Sequence, residues 1–263
     1  MALCGVAGGL IGVIRPVKSA IRVLEVLQLF DRIQRAATVS EISRELGYPL
    51  SSTSVLLSNL AEMGYLCHGA DQRSYFPTPR VTLLGIWIAP VLAPSGNVLR
   101  LMAELGDQTS ETVILAAPTR DQVQYLHVVP ASTTMRMHVG PGTTRSLLSS
   151  GLGRLLLSTM SDDKVHHLVL RHNEGTDITK PRISLSALRR DLAMIRTQGY
   201  SLTLKGVTPG AAVLGMLLPL AINGVPLAVG IGGWSRSMRV QLPHYLKLLR
   251  SSIERHLKHA DHA

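Results

Sequence analysis

The segment from residue 38 to residue 76 restricts the possible fold more than any other part of this 263-residue chain. Thr38 is followed three residues later by Glu41, the spacing of a capping box, in which the hydroxyl accepts from a first-turn amide and the glutamate reaches back to the threonine amide. The helix that begins there is expected to be short, because Gly47 can adopt the left-handed backbone conformation that ends a helix. Pro49 then opens a further helix at a position where its missing N–H costs nothing.

The helix after Pro49 has two contrasting faces at helical spacing. One face is expected to pack inward and consists of Thr53, Leu56, Leu57 and Leu60. The other face bears mostly small hydroxyls and consists of Ser51, Ser54, Val55 and Ser58. Gly64 ends the helix, and residues 65–67 and 73–76 are short strand candidates on either side of a turn.

A further amphipathic helix is predicted at residues 17–30, before the capping box. Its expected inward stripe is Val17, Ala20, Ile21, Leu24 and Leu27. The complete order of helix, short helix, turn, helix and hairpin is that of a winged helix-turn-helix. The hydroxyl-bearing face is then free to enter a DNA major groove, which is about 12 Å wide. A serine-rich face is also common on ordinary solvated helices, so spacing alone leaves both interpretations open.

The rest of the chain predicts a short linker and a second domain. Prolines punctuate residues 77–96 around a short apolar helix, whose Leu83, Leu84, Ile86 and Trp87 indicate a dimer contact or packing against the second domain. From residue 97 onward helices and strands are mixed, with strands expected at 112–118, 122–130, 134–140, 200–204, 211–221 and 225–234. Helices are expected at 147–160, 162–172, 184–198 and 239–259. This pattern predicts an α+β domain with a pocket.

Composition excludes several classes of protein. Hydrophobic residues make up 46% of the chain and charged residues 17%, which is typical of a globular protein. No apolar run reaches the roughly 18 residues that a membrane span needs. The apolar first 14 residues lack the basic start of a signal peptide, so we expect a tail or an upstream start codon there, and a cytoplasmic protein. Two cysteines in unrelated contexts predict neither a disulfide framework nor a metal knuckle.

The net charge of +10 favours a polyanionic partner without locating it. Residues 1–79 contain seven lysines and arginines against six acidic residues, which leaves +1. Residues 80–263 contain twenty against eleven, which leaves +9. The excess positive charge therefore lies outside the predicted helix-turn-helix.

The chain resembles the IclR family of transcriptional regulators from about Val17 to its end. In the first part the resemblance rests on Val17-Lys18-Ser19-Ala20, Glu41, Leu46-Gly47-Tyr48-Pro49, Ser51-Ser52, Leu56-Leu57, Leu60-Ala61-Glu62-Met63-Gly64-Tyr65-Leu66, Tyr75 and Pro79-Arg80. In the second part it rests on Glu111-Thr112-Val113, Val139-Gly140, Gly151-Leu152-Gly153-Arg154, Gly199-Tyr200-Ser201 and Pro209-Gly210.

The resemblance implies three parts: a winged helix-turn-helix at 15–79, a linker helix at 80–96, and a GAF-like α/β effector-binding domain at 97–260. It also implies a homodimer or homotetramer that regulates a catabolic operon, with operator DNA and a small metabolite as partners. No membrane, metal or cofactor is implied, and no enzymatic activity.

The family resemblance indicates, by position in the sequence, which residues are expected to recognise DNA. The recognition helix in the family usually carries a basic or imidazole residue where this chain has Leu50, Ser54 and Val55. Base contacts are therefore expected from Ser51, Ser52 and Ser54, with Val55 against a thymine methyl. Phosphate contacts are expected from Lys18, Arg44, Arg73 and also Arg35. So few basic residues predict a shallow dependence of affinity on salt.

Residues for effector binding also follow by position from the resemblance. The expected set is Met137, Gly151, Leu152, Thr203, Ala211, Val213 and Gly230. Free amides at the start of the helix at Gly151 favour a carboxylate. Relatives that bind small polar acids have an acidic residue and a thiol or hydroxyl where this chain has Thr203, Val213 and Gly230. We therefore expect an effector with an apolar or aromatic body and one anionic end, although Val213 and Gly230 are also compatible with ordinary core positions.

Two alternative functions make different predictions. The glycine-containing segments 140–146 and 151–153 lack the spacing of a P-loop or a dinucleotide fingerprint, and the histidines at 166, 167, 172, 256, 259 and 262 lack a carboxylate or cysteine at ligand spacing. A metabolite-processing enzyme would show turnover without DNA retention. A DNA-binding protein without a ligand would show operator affinity that no metabolite changes.

Overall fold

The computed structural model of the chain describes residues 17–69, 71–85, 96–132, 139–175, 181–204 and 209–258. Its contacts divide it into two compact units, Met1–Trp87 and Ile88–Ala263, and each is described by itself. In the described residues no helix combines the length and the apolar character that crossing a bilayer requires.

The first unit is a winged helix-turn-helix, as predicted. Its elements are α1 (Lys18–Ile33), β1 (Ala37–Thr38), α2 (Val39–Leu46), α3 (Leu50–Glu62), β2 (Leu66–His68), β3 (Ser74–Pro77) and α4 (Pro79–Leu83). The three strands form an antiparallel sheet in the order β1-β3-β2. Strand β1 was not expected, because two residues are too few to show any periodicity.

The predicted caps of α2 are present in part. The Thr38 hydroxyl accepts from the Glu41 amide at 3.3 Å, and Gly47 ends the helix with φ of +67°. The Glu41 carboxylate pairs with the Arg35 guanidinium, with Nη1 to Oε2 at 3.2 Å, and so does not complete the capping box.

The predicted inward stripe of α1 is wrong. The core of this unit takes Val26, Leu29 and Phe30 from the helix, whereas Val17 is 66% exposed and Leu24 59%. Helix α1 carries apolar residues on two sides, so periodicity alone could not choose between them. The buried side is the one whose Phe30 belongs to the same core cluster as Ile42 and Leu57.

The second unit is an α+β domain, as predicted. Its elements are α5 (Asn97–Thr109), β4 (Thr112–Thr119), β5 (Gln122–Val129), β6 (Thr144–Ser146), α6 (Gly151–Leu157), α7 (Asp162–Glu174), α8 (Leu185–Gln198), β7 (Tyr200–Thr203), β8 (Ala211–Ile222), β9 (Val225–Trp234), α9 (Ser235–Ile253) and a π-helical turn (Glu254–Lys258). The six-stranded antiparallel sheet has the order β6-β5-β4-β9-β8-β7. Helices α5 and α9 cover one face of it, and α6, α7 and α8 cover the other.

Some element boundaries differ from those expected. Helix α6 begins at Gly151 rather than at 147, because the Ser150 hydroxyl caps it by accepting from the Gly153 amide at 3.1 Å. Helix α9 begins at Ser235 rather than at 239, directly after the last residue of β9. The expected strand at 134–140 lies, except for its last two residues, outside the described residues.

Candidate functional site

Helix α3 presents an edge that is separate from its packing face. Thr53, Leu57 and Leu60 are buried, whereas Ser51 is exposed and Val55 is 60% exposed. The Thr53 hydroxyl donates to the Pro49 carbonyl at 3.0 Å, which satisfies the one polar group on the buried face. The leucines thus fix the helix on its neighbours, and the edge with Ser51, Ser54 and Val55 is left facing outward.

The predicted base-reading serines are not equivalent. Ser51 is exposed, while Ser52 and Ser54 are half-buried. The Ser52 hydroxyl donates to the Pro49 carbonyl at 3.0 Å, so this group is already engaged at the start of the helix. Ser51 and Ser54 therefore have the greater capacity for new hydrogen bonds.

Tyr48, in the turn before α3, connects that turn to α1. Its hydroxyl donates to the Glu25 carboxylate, and the Arg22 guanidinium lies 4.6 Å from the centre of its ring. The Ser43 hydroxyl donates to the Tyr48 carbonyl at 2.6 Å. These contacts fix the entry angle of α3, and sequence reasoning missed them because the partners lie on a helix far away along the chain.

The wing between β2 and β3 is a turn organised by Asp71. Its carboxylate accepts from the Ser74 hydroxyl at 2.6 Å, the Ser74 amide at 3.0 Å and the Arg73 amide at 3.1 Å. The Ser74 hydroxyl first, and then the two amides, hold the pKa of the Asp71 carboxyl below its usual range. The turn leaves the Arg73 side chain exposed.

The residues predicted to contact phosphates lie on three different elements. Lys18, Arg44 and Arg73 are all exposed, and within the described ranges their side chains make no hydrogen bond or ion pair. Arg35 is paired with Glu41, and Arg32 lies 3.6 Å from Glu45, so these two cations are neutralised within the protein. The additional expectation for Arg35 is thereby weakened.

The predicted effector residues converge at the start of α6. A Cβ added at Gly151 would lie 2.7 Å from Thr203 Oγ1, and one added at Gly230 would lie 2.9 Å from Leu152 Cδ2 and 3.2 Å from Val213 Cγ1. Five of the seven residues therefore contact one another. Ala211 lies two residues before Val213 on the same face of β8, and Met137 lies outside the described residues.

Leu152 occupies a trough in the sheet. A Cβ at Gly215 would approach Leu152 Cδ2 to 2.5 Å, and Gly215 pairs with Gly230 across β8 and β9. Two adjacent residues without side chains thus admit the leucine. The Ser201 hydroxyl donates to the Gly151 carbonyl at 3.1 Å, which leaves the Thr203 hydroxyl as the polar group next to Gly151.

Among the described residues, clefts open on the side of the sheet that carries α6, α7 and α8. One, of about 290 Å³, contains Thr203 and the ion pair between Arg154 and Asp191, whose atoms lie 2.8 Å apart. The other, of about 690 Å³, lies beside β6 and contains Arg145 and Arg171. Sequence reasoning did not find these arginines, because no motif distinguishes them from other surface arginines.

Two family models match the chain. The model described as "Bacterial transcriptional regulator IclR C-terminal" matches residues 97–255, and the model described as "IclR helix-turn-helix domain" matches residues 19–68. Together they cover most of the chain. It belongs to the IclR family.

The chain is also similar to individual proteins and solved structures of the IclR family. The HTH-type transcriptional regulator KdgR of Escherichia coli is 25% identical over 186 residues, which are 70% of this chain and 70% of KdgR. An effector domain assigned to IclR from Acinetobacter sp. ADP1 is 28% identical with a TM-score of 0.59, over 63% of this chain and 95% of that one. An IclR homologue from Microbacterium hydrocarbonoxydans, complexed with 4-hydroxybenzoate, is 19% identical with a TM-score of 0.63, over 91% of this chain and 99% of that one.

The residue ranges that the two IclR-family models match include both candidate sites. The helix-turn-helix model contains α3 with its exposed edge, and the C-terminal model contains α6 and the strands that carry Thr203, Val213 and Gly230. Strand β3 and helix α4 lie between the two matches.

Proposed function

We propose that this IclR-family regulator recognises operator DNA by placing α3 in a major groove, with Ser51, Ser54 and Val55 at the base edges. The supporting observation is the division of α3 into a buried leucine face and an exposed edge. Serine hydroxyls accept and donate hydrogen bonds at base edges, and valine contacts the thymine methyl. Ser52 orders the first turn of the helix, and Lys18, Arg44 and Arg73 contact phosphates.

Replacement of Ser51 and Ser54 tests this proposal. A duplex is first selected by the wild-type protein from a random-sequence pool. The Ser51→Ala/Ser54→Ala variant is expected to lose at least about tenfold of the preference for that duplex over random DNA, because it loses base contacts and no phosphate contact. Ser186→Ala, an exposed serine of α8, is the matched control. An unchanged footprint of the double variant on the selected duplex would refute the assignment of α3.

We further propose that a small metabolite with an apolar or aromatic body and one anionic end binds at the start of α6. The cluster of Gly151, Leu152, Val213 and Gly230 is apolar, and Thr203 provides a hydroxyl beside it. Met137 and Ala211 complete the proposed set. The ligand of the Microbacterium protein, 4-hydroxybenzoate, has an aromatic body and a carboxylate, and it suits this chemistry.

Thermal unfolding with added ligands tests the effector class. We expect 4-hydroxybenzoate to raise the melting temperature, since a ligand at a hundred times its Kd adds about 2.7 kcal/mol to the stability of the folded state. Thr203→Val should reduce the rise, because it removes the hydroxyl beside Gly151 with little change in volume, while Gly140→Leu, at an open position, should preserve it. A response to short keto acids alone, with none to aromatic acids, would reverse the proposed class.

We propose that the regulator acts on a catabolic operon as a homodimer or a homotetramer. A dimer reads two half-sites that lie about 34 Å or a multiple apart, in successive major grooves. The exposed apolar residues of α1 support self-association, because contiguous apolar surface of this kind marks interaction sites.

A further inference from the structure

Helix α9 carries cations on its outer face and no acidic residue. The 19 residues Ser235–Ile253 include Arg236, Arg239, Lys247 and Arg250, all of them exposed. The opposite face packs on the sheet through Met238, Tyr245, Leu249 and Ile253. This helix therefore accounts for a large part of the excess positive charge that lies outside the helix-turn-helix.

None of these four cations has a partner among the residues that the structure describes. Some other cations of the same unit are paired, as Arg154 is with Asp191 and Arg255 with Glu104, but only α9 places four unpaired cations on one face of a single described helix. The two exposed charges of the neighbouring helix α5, Arg100 and Asp107, cancel each other. With the exposed Glu254 of the π-helical turn after α9 counted against the four cations, this face still has an excess of positive charge.

Helix stability does not explain this arrangement. Lys247 and Arg250 lie toward the C-terminal end, where the helix dipole favours cations. Arg236 lies in the first turn, where the same dipole disfavours it, and α9 has no acidic residue in that turn. Like charges along one face also repel one another. An external anion would remove both unfavourable effects.

The spacing of the four cations suits a DNA backbone. They form two pairs, and Arg239 and Lys247 lie about 12 Å apart along the axis at about 1.5 Å per residue. The outer members, Arg236 and Arg250, lie about 21 Å apart on the same scale, so the two pairs can reach phosphates on both sides of a major groove about 12 Å wide. Three of the four are arginines, whose planar guanidinium binds phosphate through two hydrogen bonds.

We propose that the outer face of α9 is a second DNA-contacting surface, which binds phosphates without reading sequence. The proposal rests on the DNA-binding function proposed above. An acidic protein is the other class of partner for such a face, but protein interfaces are enriched in aromatic residues at their core. Between the two basic pairs the exposed side chains are Val240, Gln241, Pro243 and His244, and no tryptophan, tyrosine or phenylalanine is exposed there.

The dependence of DNA affinity on salt tests the proposal directly. The quadruple variant Arg236→Gln/Arg239→Gln/Lys247→Gln/Arg250→Gln keeps long helix-forming side chains and removes four charges. Each neutralised phosphate adds about 0.9 to the slope of log affinity against log salt, so we expect the variant's slope to be lower by about 3.6 per protomer. Between about 50 and 200 mM salt this difference corresponds to a change in affinity of about 150-fold. The wild-type slope should then be steeper than the shallow slope that the few cations of the helix-turn-helix predict.

The matched control removes four charges from other exposed arginines of the same unit: Arg120→Gln, Arg182→Gln, Arg189→Gln and Arg190→Gln. Both variants are compared with the wild-type protein by fluorescence anisotropy on random-sequence duplex DNA, after their melting temperatures have been shown to be equal. Equal slopes for the two variants would overturn the proposal. Polyglutamate binding that the α9 variant alone loses, with equal DNA slopes, would also overturn it and assign the face to an acidic protein.

This comparison is independent of sequence recognition. If the wild-type protein selects no preferred duplex, the assignment of α3 fails, whereas the slopes on random DNA still decide the role of α9. If a preferred duplex is selected and the slopes of the two variants agree, only the role of α9 fails.

Discussion

At the scale of single residues, the packing of the effector unit depends on two glycines, whose lack of a side chain makes room for a neighbouring leucine. Gly215 and Gly230 are paired across β8 and β9, and the Leu152 side chain lies over both. The residue that fills the trough is also the one that is proposed to contact the metabolite. Recognition and packing therefore share the same atoms, and a change at any of these positions alters both.

Gly215→Ala should destabilise the effector unit. The new methyl would lie 2.5 Å from Leu152 Cδ2 and 3.1 Å from Leu155 Cδ2. Overpacking of this kind costs about 1–3 kcal/mol, and a lower midpoint of urea unfolding would report it. Gly140→Ala, where nothing lies within 4 Å of the new atom, should leave the midpoint unchanged.

A double-mutant cycle with Leu152→Ala identifies the cause of the loss. If the contact with Leu152 is responsible, the two substitutions together should cost less than the sum of their separate effects. Strictly additive losses would show that the backbone at Gly215, rather than its contact with Leu152, is what an alanine disturbs.

At the scale of secondary-structure elements, the sequence was informative wherever a local signal matched a local contact. Thr38 and Gly47 bound α2 as predicted, and the leucine face of α3 is buried because that helix has one apolar side. Helix α1 has two, and the contacts that choose between them come from α2 and α3. Strands β1 and β6 were missed because two or three residues carry no readable alternation.

The candidate sites also differ in how far the sequence alone could predict them. The edge of α3 was predictable, since α3 lies within one continuous segment of sequence. The positions at the start of α6 came from the family resemblance, because Gly151, Thr203 and Gly230 meet only through the order of strands in the sheet. The arginines beside β6 and the Tyr48 contacts were not predictable, because they depend on side-chain packing between distant segments.

At the scale of the whole molecule, the proposed self-association would account for the second apolar side of α1. Val17, Ile21 and Leu24 are exposed by 66%, 40% and 59%, and Val17, Ala20, Leu24 and Leu27 recur at the alternating spacing of three and four residues that is typical of a coiled-coil seam. In the proposed dimer, two copies pack these faces together and bury the seam, and the same contact would hold two α3 helices at a fixed separation.

Leu24→Lys should therefore weaken both association and operator binding. A lysine in the seam places like charges opposite each other across a two-fold axis, so sedimentation velocity should show a shift toward monomer. Affinity for a duplex with two selected half-sites should fall about tenfold or more, whereas affinity for a single half-site should not change, since α3 itself is intact. Leu126→Lys, at an exposed leucine of the effector unit, serves as the control and should alter neither. A Leu24→Lys protein that sediments like the wild type would show that association uses a different surface, and the seam of α1 would then need another partner.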